Sequence, residues 1–171
     1  MVAWTGLEYL PGTLSVELNG GENGNRSVAV TLEGNAGLVN GATVNRSGIG
    51  AVVRFTPRGG ATTMRPVVGG SSYGSQDSLT LTFGLGQEPW GNVDVLWPGG
   101  TRNRVYRVQA GERLVVPEVP CSYDANWPSF SSYLSCVQSA LDELVDSGVL
   151  PRRQLRRFLA SAARAYVESQ P

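Results

Sequence analysis

The segment Ser78-Leu79-Thr80-Leu81-Thr82-Phe83 alternates hydroxyl and apolar side chains without interruption. Successive side chains of an extended chain point to opposite faces, so the three apolar residues share one face and the hydroxyls share the other. The segment 93–97, VDVLW, repeats this pattern and places Asp94 on the outward face. Both segments therefore predict β-strands that are buried on one side only.

Outward from these two strands, the first 120 residues continue as short β-type segments separated by glycine pairs. The further predicted strands are 13–18, 27–32, 51–56, 63–68, 104–108 and 113–116. Short strands with turn signals every eight to twelve residues are typical of antiparallel sandwiches and barrels. Residues 1–120 are therefore predicted to form a mainly β domain, an antiparallel β-sandwich or barrel-like fold.

The spacing of apolar residues changes to a helical period after Pro120. Gly148 is a predicted helix end, and Pro151 suits the first turn of a second helix. The chain from 121 to 171 is therefore predicted to be an appended helical hairpin. The two predicted apolar stripes are Phe130, Leu134, Val137, Leu141 and Leu144, and then Leu155, Phe158, Leu159, Ala162, Tyr166 and Val167.

Opposite charges follow one another across the predicted hairpin. The first helix carries Asp142, Glu143 and Asp146, and the second begins with four arginines at 152, 153, 156 and 157. Arginines at a helix N-terminus oppose the helix dipole and need acidic neighbours or an external anion. The pattern favours a solvated ion-pair face between the helices, with a docking patch for an acidic partner as the alternative.

The composition excludes several classes of function. The 14 basic and 14 acidic residues balance, so the chain as a whole has no electrostatic attraction for nucleic acid. No apolar run approaches the roughly 20 residues of a membrane span, and the N-terminus lacks the pattern of a signal peptide. A secreted form would therefore be a fragment, or a chain whose signal has been removed. The sequence contains no histidine and no lysine, since every basic residue is arginine. A serine nucleophile would therefore have no conventional base to activate it.

The two cysteines, Cys121 and Cys136, lie close together in sequence after the β-rich part. Two cysteines without histidine do not make a structural zinc site, so no metal or other cofactor is predicted. An even count in a glycine-rich β protein favours one disulfide, which would tie the first helix to the end of the β domain. Two buried free thiols are the alternative.

Four blocks in fixed order carry a family resemblance: NRSGIGA at 45–51, GGSSYGSQDS at 69–78, FGLG at 83–86 and VDVLWPGG at 93–100. They resemble the ASPIC/UnbV domain, which is also found in relatives of cartilage acidic protein. The match is strong over 45–100 and extends weakly to Val28 and Glu118. Read as architecture, Asn45 closes an Asx-turn, Gly48 and Gly50 permit positive φ, and Tyr73 and Trp97 bury large rings.

The resemblance also implies a molecular context. Members of the family usually carry this module after a calcium-loaded β-propeller of FG-GAP/VCBS repeats, in secreted or surface proteins. The resemblance therefore implies an upstream propeller and an extracellular, cell-surface or periplasmic location. The aspartate-rich calcium loops of those repeats are absent from this sequence, and the family offers no catalytic residues to transfer.

Polar side chains on two loops give a predicted ligand-binding rim, formed by Arg46, Ser72, Tyr73, Gln76 and Asp77. Tyr73 offers a ring for stacking on a sugar or a peptide, while Arg46 and Asp77 offer directed hydrogen bonds. In the alternative, Arg46 pairs with Asp77 and Tyr73 belongs to the core.

The function predicted from these features is a non-catalytic extracellular binding module of a larger protein, with a carbohydrate or protein ligand. A structural module that caps or dimerises an assembly is the first alternative. A carboxylate-dependent hydrolase is the second, but its candidates Asp77, Asp94, Glu112 and Glu118 share no motif.

Overall fold

The computed structural model describes residues 2–5, 8–11 and 24–170. Nine strands precede two helices in these residues. The strands are β1 (Val2–Thr5), β2 (Glu8–Pro11), β3 (Arg26–Glu33), β4 (Val52–Pro57), β5 (Thr63–Pro66), β6 (Leu81–Gly86), β7 (Trp90–Leu96), β8 (Arg102–Gln109) and β9 (Arg113–Pro117). The helices are α1 (Phe130–Asp146) and α2 (Arg152–Ser169), so the prediction of a mainly β fold with a C-terminal helical hairpin is confirmed.

Two sheets enclose the main core, one with strand order β6-β3-β9 and the other with order β5-β4-β7-β8. Aromatic rings from the two sheets meet between them, since Phe55 of β4 stacks on Phe83 of β6 at a centroid distance of 5.3 Å. All strand pairs are antiparallel except β3 with β9, which run parallel. The three-stranded sheet is therefore mixed, with β3 antiparallel to β6 and parallel to β9, whereas the four-stranded sheet is antiparallel throughout.

The alternating segments form strands with one buried face, as predicted. In β6 the buried residues are Leu81, Phe83 and Leu85. The strand begins at Leu81, three residues after the predicted start at Ser78. In β7 the valines at 93 and 95 are buried while Asp94 faces outward. The predicted strand at 13–18 lies outside the described residues, and the β1–β2 hairpin was not predicted.

The helical hairpin begins and ends at the signals in the sequence. Ser129 caps α1 by accepting a hydrogen bond from the backbone N–H of Ser132 at 3.1 Å. Gly148 has φ +76 just after α1, and Pro151 directly precedes α2. The predicted stripes are correct except at the start of the first and the end of the second, where Phe130 is 41% and Val167 64% exposed.

The hairpin covers the side of the sandwich where β8 and β9 are edge strands. Tyr106 of β8 donates its backbone N–H to the Ser161 hydroxyl of α2 at 3.3 Å, which satisfies a donor on that edge. The predicted disulfide between Cys121 and Cys136 is confirmed, with Cα atoms 6.2 Å apart, and it links α1 to the chain leaving β9. Neither described helix is long and apolar enough to cross a bilayer.

The predicted ion-pair face between the helices is wrong. Glu143 instead accepts the backbone N–H of Asn40 at 2.7 Å, and Asp142 accepts the amide of Gln138 at 3.0 Å. Arg157 pairs with Glu112, in the turn between β8 and β9. Helix α2 packs with this arginine toward the β domain, so its charge reaches the sheet edge rather than α1.

A buried carboxylate fastens the loop that follows β3. Glu118 is 2% exposed, and its carboxylate accepts backbone N–H groups from Asn35, Thr43 and Val44 at 3.0–3.1 Å. Asn35 is fully buried and donates its side-chain amide to the Glu118 carbonyl at 3.2 Å. Backbone donors therefore hold this charge, in place of a basic side chain.

The family-like blocks have the architecture expected for three of their residues. Asn45 exchanges two hydrogen bonds with the backbone of Ile49, at 3.0 and 3.1 Å. Gly48 has φ +64, and a Cβ there would lie 2.7 Å from the Leu32 side chain. Trp97 is buried and donates its indole N–H to Asn103 at 2.7 Å. The block at 69–78 differs, because the Tyr73 side chain is fully exposed.

Candidate functional site

A polar cleft of about 340 Å³ lies on the outer face of the four-stranded sheet, and we call it the sheet-face cleft. Its floor is a row of charged residues in direct register: Arg54 of β4 faces Asp94 of β7, which in turn faces Arg104 of β8. The alternation that buries the valines of β7 necessarily turns Asp94 outward. The complete lining is Arg54, Thr56, Thr62, Asn92, Asp94, Arg102, Arg104, Tyr106 and Glu168.

A β-bulge shapes one end of the cleft. Gly91 pairs with Val108 and Val93 pairs with Val105, so Asn92 on β7 faces two residues of β8, Tyr106 and Arg107. Arg107 takes up the extra residue with φ +52, and its backbone N–H donates to the Asn92 side chain at 3.1 Å. Bulges redirect side chains at the rims of functional sites. Alternation places Tyr106 on the same outer face as Arg104, beneath α2, and the extra residue at Arg107 lets the strand return Val108 to the core.

Arg104 organises the groups at this end. Its guanidinium donates to Asp94 at 2.9 Å and to the Tyr123 hydroxyl at 3.0 Å, and it lies 3.5 Å from Glu168. The Tyr123 hydroxyl donates to Asp94 at 2.5 Å, and the Tyr106 hydroxyl donates to Glu168 at 2.5 Å. Each of the two acids therefore has both an arginine and a tyrosine as partners, which fixes its position.

The protonation of this network follows from its contacts. Hydrogen bonding from Tyr106, helped by Arg164 and opposed by partial burial, lowers the pKa of Glu168. Burial, and then the hydrogen bond to Asp94, raises the pKa of Tyr123 to about 12, and burial together with Glu168 raises the pKa of Tyr106. At neutral pH the cleft therefore presents an ionised Glu168 and the neutral phenol of Tyr106, while the buried Tyr123 that binds Asp94 is neutral as well.

The other end of the cleft is less occupied by internal bonds. Thr56 and Thr62 share one hydrogen bond of 2.7 Å between their hydroxyls. Arg54 is half-buried, and its side chain takes part in no hydrogen bond, ion pair or ring contact with the other described residues. A cation in such a position can bind an anionic or hydroxyl-bearing ligand without first breaking an internal pair.

The residues of the predicted rim are exposed, and they lie apart from the sheet-face cleft. Arg46 lines a groove with Leu79 and Val115, whereas Asp77 lines a groove with Arg65 and other residues of β5 and β6. Arg46 and Asp77 form no ion pair with each other within the part of the chain that the structure describes. The internal pairing offered as the alternative is therefore wrong.

The loop that carries the remaining rim residues has its own internal bonds. Gln76 accepts the Gly70 N–H at 2.6 Å and donates to the carbonyls of Val68 and Asp77 at 2.9 Å. Ser72 forms an isolated bridge with Ser75, and Tyr73 projects from that turn. Gln76 is thus a structural residue of the loop, and a binding role for Tyr73 and its neighbours stays a prediction.

The four carboxylates considered for hydrolysis are dispersed. Asp94 lies in the sheet-face cleft, Asp77 in the β5–β6 groove and Glu118 in the interior, while Glu112 binds Arg157. The second acid of the cleft, Glu168, was not among them because it comes from α2. Among the described residues no group of three potential ligands is placed to hold a metal ion.

Comparison with known families identifies the β-rich part. A family model described as ASPIC and UnbV matches residues 41–121, a range that includes β4 to β9 and the register row of the cleft. The helical hairpin, with Cys136 and Glu168, lies beyond the match. Searches among curated proteins and among solved structures gave no significant match. The resemblance that the sequence blocks predict is therefore confirmed over residues 41–121, where the chain is similar to the ASPIC and UnbV family.

Proposed function

We propose that this chain is a non-catalytic binding module and that its sheet-face cleft binds carbohydrate. The observation that carries the proposal is the cleft itself: charged, hydroxyl and amide groups, most of them on strands β4, β7 and β8, line about 340 Å³. This volume is at the lower end of the range of roughly 300–1,000 Å³ for small-molecule sites. Sugars present dense hydroxyl groups that both donate and accept, so they match a lining that mixes arginine, threonine, asparagine and carboxylate side chains.

The arrangement of the two acids supports binding over hydrolysis. A glycosidase needs one carboxyl group that is protonated near neutral pH, held there by an environment that raises its pKa. The contacts of Glu168 have the opposite effect, since they lower its pKa. Asp94 is bound by Arg104 and Tyr123, which leaves its Oδ2 atom occupied by two donors.

The family and the disulfide support a particular setting for this module. ASPIC and UnbV domains occur within larger proteins, and we propose an upstream β-propeller in the full-length protein. A disulfide such as that of Cys121 and Cys136 persists in oxidising compartments and is rare in the cytosol. On this support we propose that the module is extracellular, on the cell surface or in the periplasm.

A glycan array tests the proposal when it compares three proteins. Thr56→Tyr fills the cleft with a ring, whereas Tyr73→Ala removes the exposed ring of the predicted rim and leaves the cleft intact. We expect the wild type and Tyr73→Ala to bind the same glycans and Thr56→Tyr to lose them. Loss on Tyr73→Ala alone would move the site to the rim.

The remaining outcomes also decide between functions. Absence of glycan binding, together with a protein captured in a pull-down by wild type and by Thr56→Tyr alike, would overturn the carbohydrate proposal. Light scattering on the intact chain tests the structural alternative, because a capping or oligomerising module changes its assembly state with concentration. Hydrolysis of chromogenic glycosides that is lost in Asp94→Asn would contradict a non-catalytic role.

A further inference from the structure

We propose that the sheet-face cleft recognises an acidic sugar, and that Arg54 is the residue that binds its carboxylate. This inference rests on the proposed function, since it names the class of carbohydrate for the same site. Arg54 is the group that the internal network leaves out. Its position in the row of register partners explains why.

Arg54 lies directly across from Asp94 in the β4–β7 pairing, where opposed side chains on one face come within about 5 Å at their Cβ atoms. An ion pair between them would be the simple expectation. Asp94 instead turns toward β8, where the Arg104 Nε donor lies at 2.9 Å and the Tyr123 hydroxyl at 2.5 Å. The acid nearest to Arg54 in the sheet is therefore bound elsewhere.

The charges of the cleft do not balance. Three arginines, Arg54, Arg102 and Arg104, line it with two carboxylates, those of Asp94 and Glu168. Arg104 contacts both acids, and Arg102 lies 3.7 Å from Asp124 outside the cleft. The excess positive charge thus falls on Arg54, a half-buried guanidinium whose planar fork matches a carboxylate with two parallel hydrogen bonds.

The aromatic groups of the cleft favour a charged ligand over a neutral one. Aromatic side chains supply much of the binding energy at interfaces, so a sugar without charge would gain most from the face of an exposed ring. The Tyr106 ring is not available for this, because the guanidinium of Arg164 lies 4.2 Å above it and α2 covers the residue. Recognition must therefore come from charge and hydrogen bonds, with Thr56 and Asn92 beside Arg54 to contact the hydroxyls of the same sugar ring.

Isothermal titration with matched oligosaccharides tests this inference. The probes are a trisaccharide of galacturonate, its fully methyl-esterified form and galactotriose, so that the carboxylates are ionised, masked or absent. We expect the uronate to bind at least tenfold more tightly than either neutral probe, with an affinity that falls as salt is raised. Arg54→Gln should remove this preference for the uronate. Arg54→Lys should keep only part of it, because a lysine lacks the planar guanidinium that makes two parallel hydrogen bonds.

Arg58→Gln is the matched control, because Arg58 is an exposed arginine in the turn after β4 and outside the cleft. It should bind the uronate like the wild type, and equal thermal midpoints for all variants exclude unfolding. Uronate binding that Arg54→Gln leaves unchanged would overturn the inference. So would equal or tighter binding of the neutral probes, an outcome that leaves the proposed carbohydrate function standing. Failure of all three probes would overturn the inference, while the glycan array decides the proposed function separately.

Discussion

Replacement of Glu118 by glutamine tests how strongly the buried carboxylate holds the loop between β3 and β4. In the native protein Glu118 Oε2 accepts two backbone N–H groups, those of Asn35 and Val44, and Oε1 accepts that of Thr43. Glutamine keeps one oxygen, and its NH₂ group then faces at least one of these donors. The change is nearly isosteric, so packing contributes little to the difference.

The magnitude follows from the three bonds. Two of them weaken from charge-assisted to neutral bonds, at about 1 kcal/mol each, and the abandoned donor costs about 1–3 kcal/mol. Burial of a neutral amide costs less than burial of a carboxylate, which returns part of this sum. We therefore expect Glu118→Gln to lower the free energy of unfolding by about 3 kcal/mol.

Urea unfolding at pH 7 measures this loss, and hydrogen exchange locates it. The amides of Asn35 and Val44 should lose protection in Glu118→Gln while amides in the centre of β7 keep theirs. Asp146→Asn is the control, because Asp146 is an exposed acid on α1 and should change stability by less than about 0.5 kcal/mol. A loss below about 1 kcal/mol for Glu118→Gln, or unchanged exchange in the loop, would refute the reasoning.

Three further changes have defined outcomes. Replacing both cysteines by serine should cost about 3 kcal/mol in urea unfolding, because a loop of sequence separation 15 is no longer closed; an unchanged midpoint would contradict this. The fold favours the neutral form of Tyr123, so the stabilisation from this phenol is complete below pH 10.0 and is lost as pH rises toward about 12, by up to about 2 kcal/mol. When the free energy of unfolding is measured against pH, Tyr123→Phe should show a shallower fall at alkaline pH, and an equally steep fall would argue against this role. Gly91→Ala would place a Cβ 2.3 Å from the Phe55 ring and should lower the thermal midpoint, whereas Gly84→Ala, with open space around its Cβ, should cost much less; equal losses would disprove the clash.

The strands and the hairpin could be predicted because their signals are local. Alternation over 78–83 and 93–97 fixes which residues turn inward, so the outward position of Asp94 followed from sequence alone. The helical periods after residue 129 and the turn at Gly148 are local in the same sense. The ends of the apolar stripes were wrong because a helix end is buried only where another element covers it, and nothing covers Phe130 or Val167 fully.

The sheet-face cleft could not be predicted because it depends on register between distant strands. Arg54 and Arg104 lie on either side of Asp94 only after β4, β7 and β8 have paired. The bulge at Arg107 breaks the alternation between Tyr106 and Val108, and no residue type in that strand marks it. Glu168 reaches the cleft from α2, at a sequence distance that periodicity cannot address.

The sheet-face cleft and the rim of the Tyr73 loop are the two competing carbohydrate sites. An NMR titration of the ¹⁵N-labelled chain with the galacturonate trisaccharide, observing backbone amides and arginine Nε–H groups, distinguishes them. We expect saturable shifts at the Arg54 side chain and at the amides of 54–56 and 92–94, with little change at 72–77. Shifts confined to 72–77, or none that saturate, would contradict this expectation.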